Sequence, residues 1–341
     1  MTIVFDYSEK LQSYLNERNI KSFEYSQFNN IELIGEGGFA FVYSAIFREK
    51  KYALKRLKGL NLDEKGFKQL RHELELLYIT DHSNIVKFYG ISEANNNLNK
   101  FLIVPGGYFT LVLQLATGGD LRKYLKNKQI NGLYKISWTE LIRIAKDIIL
   151  GLMHLHDKNI IHRDLHAKNI LMNNDGRALI TDFGISKQIK DATTSTSNMC
   201  GVAAYIEPQC YLRHNIKPDT KSDIYSLGVL LWELTSGVQP FFNLPDPQII
   251  ILISKKKREK SIVNTPSNYV NLYKKCWSSD PNQRPTLNVI LRKIDKLLTE
   301  TTIDFITNKI DQQQFEYPDE DDNLNEDDCC AECENTTDTW V

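Results

Sequence analysis

The feature that most limits what this chain can fold into is a change of hydrophobic period near Gly118-Gly119-Asp120. Upstream, β-rich runs at 31–34, 41–47 and 52–57 are separated by turn residues, with further runs at 85–91 and 111–115. That is the pattern of strands. One helical stretch, 67–79, interrupts them. Downstream, apolar residues recur at helical spacing, and 121–125, 141–156, 222–235 and 287–298 read as helices. Strands first and helices afterwards predict an α+β chain of two lobes joined between Gln114 and Gly119. The domain is expected over 28–300, with a β-rich lobe at 28–115 and a mainly helical lobe at 119–300. Residues 1–27 read as an extension with a short helix, in which Asp6 and Glu9 form a capping pair. Tyr7, Leu11, Tyr14, Leu15 and Arg18 share one helical face there.

With 341 residues, 42% hydrophobic and 25% charged, the chain has ample material for a core. Its net charge of −1 conceals a split. Residues 311–341 carry 12 acids and no base, so the rest holds 42 bases against 31 acids. The acidic stretch 301–341 is expected to be a disordered tail. A positive body suits phosphate-bearing ligands, small molecules and nucleic acid alike. The six cysteines follow no disulfide framework, and the N-terminus lacks signal-peptide character. The longest apolar runs are too short to span a bilayer. A reducing, cytoplasmic setting is expected. A nuclear one stays open through Lys255-Lys256-Lys257-Arg258, a run more often found as a solvated loop.

Chemistry concentrates in His162-Arg163-Asp164-Leu165-His166-Ala167-Lys168-Asn169 and in Thr181-Asp182-Phe183-Gly184. These supply an acid, an amide and a second acid at spacings that suit phosphoryl transfer from a magnesium nucleotide. Asp164 would meet a substrate hydroxyl, and Asn169 and Asp182 would hold metal ions. Together the motifs resemble those of the eukaryotic protein kinases. The resemblance implies a bilobal fold whose small lobe carries one regulatory helix. It also implies ATP and Mg2+ as cofactors and a protein substrate, with no nucleic-acid partner and no membrane span.

Under that resemblance, Gly35-Glu36-Gly37-Gly38-Phe39-Ala40-Phe41-Val42, by itself more often a mere hairpin, becomes the loop that covers the phosphates, with Ala40 in place of its third glycine. In Tyr52-Ala53-Leu54-Lys55, Lys55 would hold the α- and β-phosphates. Its partner would be Glu73, thirteen residues before Val86, and not Glu75, which projects about 200° away on the helix. Ile34, Val42, Ala53, Leu113 and Leu171 would sandwich the adenine, with backbone groups of Gln114, Leu115 and Ala116 bonding to it.

Downstream, Asp223 would brace the catalytic loop and Trp277 would be core. Three positions depart from the commonest serine/threonine pattern: His166 stands for a lysine, Val202 for a threonine, and Gln209 for the glutamate that pairs with Arg284. Lys168 is expected to supply the missing charge, and Gln209 a weaker bond to Arg284. His82-Ser83-Asn84-Ile85-Val86, Phe88-Tyr89-Gly90 and the Cys276-Trp277, Asp280-Pro281 and Arg284-Pro285 pairs most resemble the tyrosine-kinase-like group, which implies serine/threonine specificity. Thr193, Thr194, Ser195, Thr196 and Ser197 lie where such kinases carry an activation loop. An upstream kinase would act there, its phosphate pairing with Arg163 and Lys187. A pseudokinase scaffold and a tyrosine or dual-specificity kinase remain the alternatives. Cys329-Cys330 and Cys333 lack a fourth metal ligand, and Thr339-Trp340-Val341 resembles ligands of PDZ domains.

Overall fold

The computed structural model describes residues 2–37, 40–58, 64–94, 108–183, 202–212 and 217–310. Residues 1–310 form one compact unit. The second unit, 311–341, lies outside the described residues, and with it the cysteine cluster and the C-terminal tripeptide.

The chain opens with α1 (Thr2–Glu17), β1 (Ser22–Glu24), β2 (Asn29–Glu36), β3 (Ala40–Phe47), β4 (Lys50–Leu57), α2 (Glu64–Ile79), β5 (Phe88–Ala94) and β6 (Tyr108–Gln114). The strands make one sheet in the order β1-β5-β6-β4-β3-β2. All neighbours are antiparallel except β1 and β5, which run parallel. The period of two divides each strand between two cores. On one face Ala53, Leu57, Leu111 and Leu113 join Leu70 and Leu74 of α2 and Leu11, Tyr14 and Leu15 of α1. On the other, Tyr52, Leu54 and Val112 join Phe23, Phe28 and Phe47. This alternation puts Lys55 on the same face as Ala53, toward α2.

The remainder comprises α3 (Leu121–Lys126), β7 (Gln129–Ile130), β8 (Leu133–Ser137), α4 (Trp138–Asp157), β9 (Ile170–Met172), β10 (Ala178–Ile180), α5 (Pro208–Leu212), α6 (Thr220–Ser236), α7 (Asp246–Ser254), α8 (Ser267–Cys276), α9 (Leu287–Glu300) and β11 (Phe305–Lys309). The expected α+β architecture, a β-rich lobe followed by a mainly helical one, is the one found. Helix α6 is buried from Ser222 to Ser236, as befits a helix with apolar residues all round. A capping box at Asp219 and Ser222 starts it, and Gly237 in the left-handed conformation ends it. Gly228 is required by its neighbour α8, because a Cβ there would stand 2.8 Å from both Cys276 Cβ and the Trp277 nitrogen.

Four expectations need correction. Helix α1 spans Thr2–Glu17, so Asp6 stands inside it and not at its start. The run at 85–91 is a strand only from Phe88, and Ile85 makes an isolated bridge to Ile180. Residues 301–310 are not tail: β11 pairs antiparallel with β8, buries Ile306 and donates a hydrogen bond from Asn308 to the Ser236 carbonyl at 2.9 Å. Finally, Arg284 pairs with Glu207 at 2.6 Å, two residues before Gln209. Glu207 also accepts from the Ser222 hydroxyl at 2.5 Å, so α6 and the start of α5 converge on one buried carboxylate.

Candidate active site

Between sheet and helices, the Lys55 ammonium lies 2.7 Å from Asp182 Oδ1 and 3.7 Å from Glu73 Oε1. Each comes from a different element: Lys55 from β4, Glu73 from α2, and Asp182 from the turn just after β10. Burial works against the Lys55 charge, but Asp182 and Glu73 outweigh it and raise its pKa above the ordinary lysine value. Burial lifts Glu73 to about 7, with Lys55 opposing. Burial also opposes the charge on Asp182, yet Lys55 holds that carboxyl below its ordinary value. A small pocket adjoins the three, lined also by Leu77, Val86, Leu111 and Leu113. Glu75, on another face of α2, reaches Arg18 instead, at 3.7 Å.

The loop before β9 is held from below. Asp223 accepts from the backbone N–H groups of His162 and Arg163, each at 2.9 Å, and contacts His156 Nε2 at 2.8 Å. These bonds secure Arg163 at φ 66°, a conformation that a non-glycine residue adopts only when its surroundings over-determine it. Asp182, at φ 60°, is held in the same region beside Lys55. The ring of His162 bridges the two segments: its Nδ1 accepts from the Asp164 N–H at 3.3 Å, and its Nε2 bonds the Thr181 carbonyl at 3.0 Å. Asn169 does the same from the other side. Its amide donates to the Asp164 carbonyl at 2.8 Å, and its own carbonyl accepts from the Thr181 N–H at 3.0 Å. The loop with Asp164 and Asn169 is thereby tied to the segment that carries Asp182.

His166 is buried, and burial lowers its pKa below the ordinary histidine value. It is neutral at pH 7 and lies 3.7 Å from Asp164 Oδ2, while its Nδ1 accepts from the Lys168 N–H at 3.2 Å. The Lys168 side chain is exposed. Of the expected adenine slot, Val42, Ala53, Leu113, Ala116 and Leu171 belong to one apolar cluster, and Ala53 faces Leu113 across β4 and β6. Ile34, on β2, is 46% exposed and stands outside that cluster. Gln114 donates its N–H to the Lys87 carbonyl at 2.8 Å, which commits that group. Gly35 and Glu36 end β2 and Ala40 begins β3, with the Gly37 N–H bonded to the Ala40 carbonyl at 2.9 Å. Glu36 pairs with Lys58 at 2.7 Å, tying the loop to the end of β4. Gly38 and Phe39 lie outside the described residues, as do Thr193, Thr194, Ser195, Thr196 and Ser197.

Sequence reasoning missed a second buried group next to this loop. Glu233 of α6 pairs with Arg122 of α3 at 2.5 Å and accepts from the Tyr205 hydroxyl. The Tyr205 ring packs against His166 with centroids 6.0 Å apart. The one signal for it in the sequence was an acid directly after the apolar run Gly228–Trp232.

A lysine, a glutamate and an aspartate meeting under a twisted sheet, above a loop braced by a buried aspartate, define the class of site. Residues 28–294 match the family model described as protein tyrosine and serine/threonine kinase. The chain belongs to that family. Among its relatives in Dictyostelium discoideum are "Probable serine/threonine-protein kinase kinX", 29% identical over 83% of this chain, and "Probable serine/threonine-protein kinase drkB", 28% identical over 86%. "Dual specificity protein kinase shkE" is 32% identical over 80%. The matched region spans only 24%, 40% and 37% of those proteins' own lengths.

Proposed function

We propose that this chain transfers the γ-phosphoryl group of magnesium-bound ATP to serine and threonine hydroxyls of protein substrates. The observation that carries the reading is the Lys55 ammonium within 2.7 Å of Asp182 and 3.7 Å of Glu73, beside a loop that presents Asp164 and Asn169. The donor set fits the cofactor. Among the described residues no three His, Cys, Asp or Glu side chains cluster as a metal cage. Asp182 and Asn169 instead offer two hard oxygen donors, which suits an ion that takes its other ligands from phosphates and water. When bound, magnesium neutralises charge that develops on the phosphoryl oxygens.

In this reading Lys55, kept charged by its two acids, holds the α- and β-phosphates, and Glu73 orients it. The 35–42 loop, Gly38 and Phe39 included, covers the phosphates through backbone N–H groups. Ala53, Leu113, Leu171, Val42 and Ile34 enclose the adenine, with backbone groups at Gln114 and Ala116 as hydrogen-bond partners. Asp164 orients the acceptor hydroxyl and takes its proton, and Lys168 contacts the transferring phosphate in place of neutral His166. The relatives' printed names support serine/threonine acceptors and keep dual specificity in view. An upstream kinase acting on the 193–197 hydroxyls and a cytoplasmic location complete the proposal. Among the described residues no helix is long and apolar enough to cross a membrane.

The test is turnover of labelled ATP with phosphoamino-acid analysis, in wild type and Asp164→Asn. Loss of the hydroxyl's positioning and proton acceptor is expected to slow transfer by about 10²–10⁴ while nucleotide binding persists. Equal trace turnover in both proteins would replace this reading with a nucleotide-binding scaffold, and predominant labelling of tyrosine would overturn the specificity.

A further inference from the structure

We propose that α1 and β1, which precede the family-matched span, are a built-in positioning element that keeps α2 turned so that Glu73 reaches Lys55. The proposal rests on the kinase reading of that pair. Helix α2 is held between two surfaces. Toward the sheet it presents Glu73 and Leu77, which line the cavity with Lys55. At about 100° per residue, Tyr78, Arg71 and Glu75 lie roughly 140–200° away from Glu73. That far face is the one α1 engages. The Arg71 guanidinium lies over the Tyr14 ring at 5.4 Å, Arg18 lies over the Tyr78 ring at 6.0 Å, and Arg18 pairs with Glu75 at 3.7 Å. Between the two faces, Leu70 and Leu74 pack in one cluster with Leu11, Tyr14 and Leu15.

The half-exposed Arg18–Glu75 pair holds little by itself. The apolar contact does the holding, since Leu11, Leu15, Leu70 and Leu74 are all at or below 1% exposure. Something has to hold α2, because Glu73 is a carboxylate at 2% exposure and rotation outward would return it to water. Its ion pair with Lys55, at 3.7 Å, is longer than a hydrogen bond.

The clamp also has a fixed anchor. β1 runs parallel to β5, with the Ile91 N–H donating to the Lys21 carbonyl at 3.0 Å. Gly90, at φ +148°, makes room for it, because a Cβ there would fall on that carbonyl oxygen. The Ile20 N–H bonds back to the Leu15 carbonyl at 2.9 Å, so α1 is tied closely to the anchored strand. α1 therefore reports to α2 from a position fixed by the sheet.

The experiment compares Leu11→Ala/Leu15→Ala with wild type in the full chain, in the native background and in Glu73→Gln. Peptide-phosphorylation kcat and amide hydrogen exchange along α2 and α6 are read together. If α1 acts through Glu73, the double substitution slows kcat by about tenfold in the native background and changes it less than about twofold in Glu73→Gln. Amides of α2 then lose protection while those of α6 keep theirs. An equal slowing in both backgrounds, or unchanged α2 protection, overturns the proposal. Should the double variant not fold, Leu15→Ala is read by the same two criteria, with Leu15→Met expected to restore activity. A wild type with no turnover would refute the kinase reading, while the exchange data still decide whether α1 holds α2.

Discussion

Glu259 and Glu73 are carboxylates buried without full compensation, and burial raises each from 4.5 to about 7. Glu259 accepts a hydrogen bond from the Phe241 N–H at 3.0 Å and lies away from the candidate active site, which makes it the cleaner probe. Between the two values the unfolded chain has lost a proton that the folded chain keeps. Folding stability is therefore highest below about pH 4.5 as far as these groups are concerned, falls as pH rises toward 7, and levels off above that. Glu259→Gln should flatten part of the slope in urea-midpoint measurements across pH 5–8, with the Glu73 share remaining; an unchanged slope would show that Glu259 is ionised throughout. His166 and Lys168 yield a second expectation. Neutral, buried His166 contributes no charge, so Lys168→Met should slow phosphoryl transfer more than His166→Ala does in a labelled-ATP assay. A larger loss in His166→Ala would move the phosphate contact to the histidine. At this scale the sequence was informative where a spacing was at stake. Glu73 and Glu75 are chemically equal, and the distance to Val86 separated them; in the structure Glu73 lies near Lys55 while Glu75 meets Arg18.

Among elements, the junction of α5 and α6 shows what a local reading cannot reach. Gln209 occupies the position from which a partner for Arg284 was expected, yet Glu207 reaches it, at 0% and 4% side-chain exposure for the two groups. Which carboxylate lies under a given guanidinium depends on where a five-residue helix begins, and no periodicity encodes that. The guanidinium is further committed to the carbonyls of Ser278 and Lys221, at 2.9 Å each, so it cannot leave to follow a lost partner. Glu207→Ala should therefore strand a buried cation and destabilise the fold by about 3–5 kcal/mol. Gln209→Ala should change stability by no more than about 0.5 kcal/mol. Chemical denaturation of both variants checks the pair, and similar values for the two would return the role to Gln209.

Across the whole molecule, the strand-then-helix division was legible because each lobe repeats one period over many residues. The pieces that join distant parts of the chain were not. β11 is only five residues long and has the polar Asn308 at an inward position, so its alternation is too weak to read; it pairs with the edge that β8 offers. Its worth is testable at two neighbouring positions. Ile306 is fully buried, and Ile306→Ala should cost about 2–4 kcal/mol, lowering Tm by roughly 2–4 °C per kcal/mol. Phe305, 49% exposed beneath the Lys135 ammonium at 4.0 Å, should tolerate alanine with little change. Equal Tm shifts would mean that the strand does not pack as described.

The pairing of β11 with β8 also sets a timetable for biosynthesis. Roughly 170 residues separate Ser137 from Phe305, so at about 5–20 residues per second the edge of β8 waits some 10–30 s on the ribosome before its partner emerges. Through that interval a nascent chain carries an unpaired strand edge whose Tyr134 and Ile136 are both destined for burial. Until β11 emerges, that edge of β8 is open to pairing with other chains.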